Sequence, residues 1–325
     1  MMTDSFCVLY FCDQNLHDET LFSIASLAKA SQVPVDVVFI QANYDAPLAD
    51  AYLSYIRERN CRIQVKTLGY VEEDCWKNSR IAEGERDFKS ASFHKIDAIE
   101  SVLESYDWVF YVDGDVLFFE DPRLKDLIGF EEVLGACYDI SAKMGVWNDA
   151  FISRCKEFGV SKKYFNAGFL CINSRLWDTL NIRELYYEMT HRHTQSCPYQ
   201  SGCRLVDQCI WNMVVDGRWH AFDTRYNVQA SCMHSMSWRQ AIMRHYTGFK
   251  PKFLPIRNRR CDRKENALIR DLNSECEMRW DFGMYDNGFF YALNSWRRRR
   301  YCNSVDRYME WVGMLIATEG KDLKI

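Results

Sequence analysis

Two aspartates separated by a single glycine, Asp113-Gly114-Asp115, are the residues of this 325-residue chain whose types and spacing most directly suggest chemistry. Carboxylates at i and i+2 repel each other, and holding them together at the end of an apolar strand is costly unless a positive charge joins them. A divalent cation meets that need, and hard oxygen ligands suit Mg²⁺ or Mn²⁺. Gly114 lets the backbone turn and a ligand approach closely. The competing reading is a tight hairpin, for which Asp-Gly between apolar runs is also a signal. Against it, both flanks, WVFYV and VLFF, are continuously apolar rather than alternating, as expected at the edge of a buried sheet. An EF-hand is excluded, because the later Asp/Asn and Gly positions of its loop do not follow.

The chain has neither a G-x-x-x-x-G-K-[ST] loop nor a strand-linked G-x-G-x-x-G. A nucleotide diphosphate bound here must therefore be neutralised by a metal ion and basic side chains. The carboxylate pair supplies the metal half of that arrangement.

The elements that must position the pair alternate. Phe6–Cys12 (FCVLYFC), 35–41 (VDVVFIQ), 62–68 and Trp108–Val112 read as strands. Between them, 18–31, 46–59 and 88–104 carry apolar residues at helical spacing, such as Leu21, Ile24, Ala25 and Ala28. This alternation predicts an α/β fold with a mostly parallel sheet and helices on both faces. Such sheets bind ligands beyond the carboxyl ends of their strands, which draws attention to Asp13 after the first strand and to Asp113 and Asp115 after the fourth. Further on, 169–173 reads as a strand, and 176–191 and 205–215 as helices.

A net charge of −4 gives the whole molecule no long-range attraction for nucleic acid. The fourteen cysteines are scattered without a C-x-x-C pair, and several lie inside apolar runs (Cys7, Cys12, Cys171). With no signal-peptide pattern and no apolar run of the ~20 residues that span a bilayer, the expectation is a cytoplasmic protein with reduced core thiols. Two basic clusters, 257–264 and 297–300, mark the C-terminal region. The expected division is a nucleotide-sugar-binding domain over residues 1–255 and a small basic, aromatic extension over 256–325. With Trp296 and Tyr301 flanking the arginines, that extension has the character of a contact with an anionic membrane surface.

Five segments, in order, resemble glycosyltransferase family 8, the retaining GT-A enzymes that include bacterial lipooligosaccharide galactosyltransferases and glycogenin. They are Cys12-Asp13-Gln14-Asn15; Tyr111-Val112-Asp113-Gly114-Asp115; Phe165-Asn166-Ala167-Gly168-Phe169 continuing into Ile172-Asn173 and Trp177; Asp207-Gln208 with Asn212; and His245-Tyr246-Thr247-Gly248. The resemblance spans roughly residues 6–252 and implies a GT-A, Rossmann-like fold. It implies that Asp113, Asp115 and His245 bind Mn²⁺ or Mg²⁺, and that Asp13 and Asn15 contact the uridine of a UDP-sugar. It further implies that Asn166 and Ala167 line the donor sugar, that Asp207 bonds its hydroxyls and that Gln208 lies near the reacting carbon. Gly248 and Lys250 would serve the diphosphate, although Gly248-Phe249-Lys250-Pro251-Lys252 is one residue shorter than the family's pattern and lacks its tryptophan, so that Lys252 is an alternative. Lys95 matches the basic residue before the D-x-D motif. Outside the resemblance, Asp13, Asn15 and Asp207 are equally well read as turn or helix caps, and a lone His245 as a core residue.

The activity implied is metal-dependent, retaining transfer of glucose or galactose from a UDP-sugar to a glycan, a lipid-linked glycan or a protein. The alternatives are a nucleotide-sugar hydrolase or nucleotidyltransferase, and a catalytically inactive sugar-binding module. A glycoside hydrolase is disfavoured, because no second carboxylate pairs as acid and nucleophile.

Overall fold

In β1 (Phe6–Cys12), Val8, Tyr10 and Cys12 enter one apolar core while Cys7, Leu9 and Phe11 enter another. The same division holds along β2 (Val35–Ala42) and β4 (Trp108–Val112). Side chains of a strand alternate between faces, so a strand apolar at every position needs a core on each side. This is why these runs are continuous rather than alternating. The computed structural model describes residues 4–70, 92–140, 148–201, 203, 205–247, 262–276 and 296–318.

A seven-stranded sheet runs in the order β3-β2-β1-β4-β7-β6-β8, with β3 at Cys61–Leu68, β6 at Leu134–Tyr138, β7 at Phe165–Asn173 and β8 at His220–Ala221. All pairings are parallel except those of β7, which runs against both β4 and β6. A second sheet, β5-β10-β9, joins Val116–Phe118, Met243–His245 and Val228–Gln229.

Helices α1 (His17–Ala30) and α2 (Asp50–Glu58) cover one face of the large sheet, and α3 (Lys95–Leu103) covers the other. Next come α4 (Asp149–Phe158) and the short α5 (Ser174–Trp177), then α6 (Ile182–Gln195) and α7 (Val206–Val215), which join α3 in the second core. After α8 (Met236–Arg239), α9 (Arg263–Glu275) and α10 (Arg299–Thr318) return to the first. Leu268, Leu272, Val305, Tyr308, Met309 and Val312 are buried there beside α1 and the sheet. Among the described residues, no helix is long and apolar enough to cross a membrane.

Three expectations need correction. The helix expected over 176–191 is broken: Asn181, with φ of 49°, adopts the left-handed conformation that asparagine tolerates, and α6 starts after it. The strand expected at 169–173 begins four residues earlier, at Phe165. Of the helix expected at 88–104, residues 88–91 lie outside the described residues, and α3 occupies Lys95–Leu103.

Candidate active site

Asp113-Gly114-Asp115 is not a hairpin. β4 belongs to the large sheet and β5 to the small one, so these three residues are the crossing between sheets. The crossing is tight. A Cβ on Gly114 would lie 2.2 Å from Thr20 Oγ1 of α1, so any side chain there would force Thr20 or the crossing to shift. β5 pairs antiparallel with β10, placing His245 opposite Val116 and hence beside Asp115. Strand pairing across 129 positions of sequence thus delivers the third group to the first two.

The alternation of β7 slips by one at Gly168: Phe165 and Ala167 face the core that also receives Leu170 and Ile172. Pairing with β6 jumps from Ala136–Leu170 to Cys137–Asn166, leaving residues 167–169 without partners on that strand. Such bulges redirect polar groups beside functional sites. Here the bulge lies opposite Asp113, whose N–H donates to Gly168 O at 2.9 Å. It also turns Ala167 O toward Lys95 Nζ, at 3.3 Å.

His245 Nε2 lies 3.1 Å from Asp115 Oδ1 and 3.6 Å from Asp113 Oδ2. Its Nδ1 is 2.7 Å from Asn227 Oδ1 and 3.0 Å from Asn166 Oδ1. Asn227 Nδ2 donates to the backbone carbonyl of Asn166, and Gly168 N–H donates to Asn166 Oδ1. A carbonyl can only accept and an N–H can only donate, so both amides are oriented with oxygen toward the ring. Nδ1 therefore carries a proton, and Nε2, which faces the carboxylates, is the nitrogen that would ligate a metal. One atom each from Asp113, Asp115 and His245 lies within 4.8 Å of the others, an arrangement that can hold a divalent ion. Two carboxylates and one imidazole suit Mn²⁺ or Mg²⁺.

Burial alone would favour neutral forms, but the carboxylates beside His245 outweigh it and raise the imidazole above its ordinary value. Burial likewise opposes ionisation of Asp115, and His245 prevails there too, lowering the carboxyl. Tyr111 donates from its hydroxyl to Asp113 Oδ1 at 2.8 Å. Burial, and then the charge of Asp113, push that phenol far up, so it remains a donor.

Lys95, at the start of α3, is only 4% exposed. Its ammonium pairs with Asp113 at 3.3 Å and with Asp207 at 2.9 Å. Asp207 does not cap α7: Leu205 holds the cap position, and the Asp207 carboxylate is turned to Lys95 instead. Gln208 is buried with both ends of its amide engaged. Oε1 accepts from Asn166 Nδ2 at 2.8 Å, while Nε2 donates to Asp139 Oδ2 at 2.7 Å and to Tyr164 OH at 3.2 Å. Asp13 and Asn15 follow β1 at the same sheet edge, where Asp13 Oδ1 caps its own turn by accepting from Asn15 N–H at 2.9 Å. Gly248, Lys250 and Lys252 lie outside the described residues.

Asp113, Asp115, His245, Lys95, Asn166, Ala167, Asp207 and Gln208 are therefore joined in one network. Sequence reasoning missed Asn227, which orients His245, and Asp139 and Tyr164, which hold Gln208. Asn227 belongs to no motif; its only mark is a left-handed φ of 49°. Gly168 is needed for contact rather than conformation, since a Cβ there would lie 2.0 Å from His245 Cε1 and 2.6 Å from Nδ1. Gly168→Ala is expected to push the ring off its amides and weaken Mn²⁺ binding at least ~10-fold by calorimetry, the scale of losing a ligand's orienting partners. Undiminished affinity would mean that the imidazole is not a ligand.

The family model of glycosyl transferase family 8 matches residues 7–252. General stress protein A of Bacillus subtilis (strain 168) is 27% identical over 147 residues, which is 44% of this chain and 47% of that protein. The chain thus matches about half the length of this curated relative. Among solved structures, galactosyltransferase LgtC in complex with donor and acceptor sugar analogs superposes with a TM-score of 0.53 at 19% identity, covering 74% of this chain and 87% of that one. An active-site mutant of LgtC gives 0.58 at 18% identity, with coverages of 81% and 95%. The glycosyltransferase GlyE of Streptococcus pneumoniae TIGR4 gives 0.53 at 18% identity, with coverages of 84% and 61%. These neighbours share the GT-A-like architecture of a mostly parallel sheet flanked by helices, and the chain belongs to glycosyl transferase family 8.

Proposed function

We propose that this protein transfers a hexose, glucose or galactose, from a UDP-sugar to a glycan, lipid-linked glycan or protein acceptor, with retention at the anomeric carbon and with Mn²⁺ (or Mg²⁺) as cofactor. The observation that carries this reading is the meeting of Asp113, Asp115 and His245 at the crossing between the two sheets, beside the Lys95–Asp207 pair and the Gln208 amide. When bound by the three side chains, the ion supplies positive charge against the departing diphosphate.

The protein's own groups do the rest. Asn166 and Asn227 fix the His245 ring, so that its lone pair is directed before any ligand arrives. Lys95 holds Asp207 in one position, from which its second oxygen can accept from donor hydroxyls. We assign the uridine to Asp13 and Asn15, which follow the adjacent strand end, and the diphosphate to Lys250. A double displacement needs a carboxylate nucleophile beneath the sugar. Gln208 is an amide whose oxygen is already engaged by Asn166. This favours front-side substitution, with the leaving phosphate accepting the acceptor's proton.

A donor screen tests the proposal: UDP release with at least one UDP-hexose, abolished by thorough chelation and restored by Mn²⁺. Turnover that survives chelation would overturn the metal assignment, and UDP release without sugar transfer to any acceptor would favour a hydrolase.

We place the protein in the cytoplasm, at the inner face of a membrane. Trp296 is 70% exposed and is followed by exposed Arg297, Arg298, Arg299 and Arg300. Basic residues near an anionic surface contribute ~1 kcal/mol each. The protein should therefore sediment with phosphatidylserine-containing vesicles and stay in solution with neutral ones. Binding indifferent to lipid charge would retire this contact.

A further inference from the structure

A second cluster of ligating side chains lies behind the candidate active site. One ring nitrogen of His193 and the sulfurs of Cys197, Cys203 and Cys209 all lie within 4.8 Å of one another. His193 is in the last turn of α6, Cys197 just beyond its end, Cys203 in the connection and Cys209 in the first turn of α7. We propose that these four residues bind one structural zinc ion that clasps the end of α6 to the start of α7.

The donor set and its enclosure favour zinc. Three thiolates and an imidazole form one of the closed tetrahedral sets of structural zinc, and with Zn–S bonds of ~2.3 Å the sulfurs of such a site stand ~3.8 Å apart. Cys203 Sγ and Cys209 Sγ are 3.4 Å apart, close to that separation and well beyond a disulfide bond. Cys197 and Cys209 are buried and Cys203 half-buried, so no open position faces a substrate. His193 is 7% exposed and interacts with the thiols of Cys197 and Cys203, while its buried Nε2 makes no hydrogen bond of ordinary geometry. Donors are also directed at the sulfurs: Tyr199 N–H to Cys197 Sγ and Gln200 Nε2 to Cys203 Sγ, each at 3.4 Å. Outer donors of this kind stabilise thiolate ligands. The soft sulfur set also separates this site from the oxygen-rich Asp113–Asp115 centre, which prefers harder ions.

The position gives the clasp a purpose. Cys209 directly follows Gln208, and Tyr164 OH lies 3.1 Å from Cys209 Sγ and 3.2 Å from Gln208 Nε2. An ion tying Cys209 to α6 would therefore hold the first turn of α7, which carries Asp207 and Gln208, against the strand that bears Asn166.

The test is the metal content of the full chain, purified under reducing conditions and treated with EDTA. We expect one zinc per chain, kept in Asp115→Asn and released when a mercurial titrates the thiols. Replacement by Co²⁺ should give thiolate-to-metal charge-transfer bands and the intense visible bands of tetrahedral cobalt. Cys203→Ser, the half-buried member of the four and close to isosteric, should stay folded by circular dichroism yet bind zinc at least ~100-fold more weakly, beyond the ~10–100-fold cost of losing an outer partner. Folded protein without zinc and without the cobalt bands overturns the proposal, as does a Cys203–Cys209 disulfide found by peptide mass. Zinc that is absent from Asp115→Asn but retained in Cys203→Ser would belong to the carboxylate centre and overturns it equally.

Discussion

In Asp115→Asn, UDP release from the preferred UDP-hexose is expected to fall by at least ~100-fold while the protein stays folded, the scale on which a lost electrostatic contribution to a transition state is felt. The amide has the size of the carboxylate, so the crossing between the sheets and the contact of Tyr246 N–H with the Asp115 carbonyl are retained. What disappears is the negative charge 3.1 Å from His245 Nε2, one of the three groups proposed to hold the metal ion. The loss should appear chiefly in kcat at saturating Mn²⁺, with weaker metal affinity at low Mn²⁺. Thermal denaturation of the variant within a few degrees of the parent, together with the missing turnover, separates a chemical role from a structural one. Wild-type turnover in this variant would remove the D-x-D pair from the mechanism.

The second large effect is on stability. Lys95→Met replaces a buried ammonium by an apolar chain of similar length. It leaves Asp113 and Asp207 without the cation that joins them, and Ala167 O without its donor. Burial by itself disfavours a charged lysine, yet the two carboxylates prevail and raise its pKa, so the ammonium is the form that belongs here. Removing one partner of a buried ion pair costs ~3–5 kcal/mol. Because the side chains of Asp113 and Asp207 are partly reached by water, about 2–3 kcal/mol is expected here, read from urea denaturation. Adding Asp207→Asn should recover part of the loss, since a neutral amide tolerates the missing charge. Mn²⁺ should recover a further part by neutralising Asp113. A Lys95→Met protein as stable as its parent would show that the bridge contributes nothing to folding.

Both predictions rest on residues that sequence reasoning had named, but for reasons of unequal strength. Asp113 and Asp115 are adjacent in the chain and flanked by runs apolar at every position, so their place at a buried sheet edge was legible locally. Lys95, Asn166, Asp207 and His245 had only their motif context, because the contacts that give them meaning cross between 18 and 132 positions of sequence. Asn227 and Asp139 had no local mark of any use. The zinc cluster was missed for a related reason. Read as spacings, His193, Cys197, Cys203 and Cys209 contain no C-x-x-C, and their convergence appears only once α6 and α7 are folded against each other.

Local physics in the chain was enough for the α/β class and the strands that are apolar on both faces, since periodicity and burial are properties of neighbouring residues. It also located the acidic crossing. Tertiary structure decided what local physics leaves open: that the crossing passes between two sheets instead of reversing as a hairpin, and that β10 brings His245 to Asp115. It decided too that a bulge at Gly168 opens space for the imidazole, and that Asp207 spends its charge on Lys95 rather than on its own helix. Each of these depends on which distant strand becomes a neighbour, and pairing free energy is settled by the packing of the whole core rather than by any segment alone.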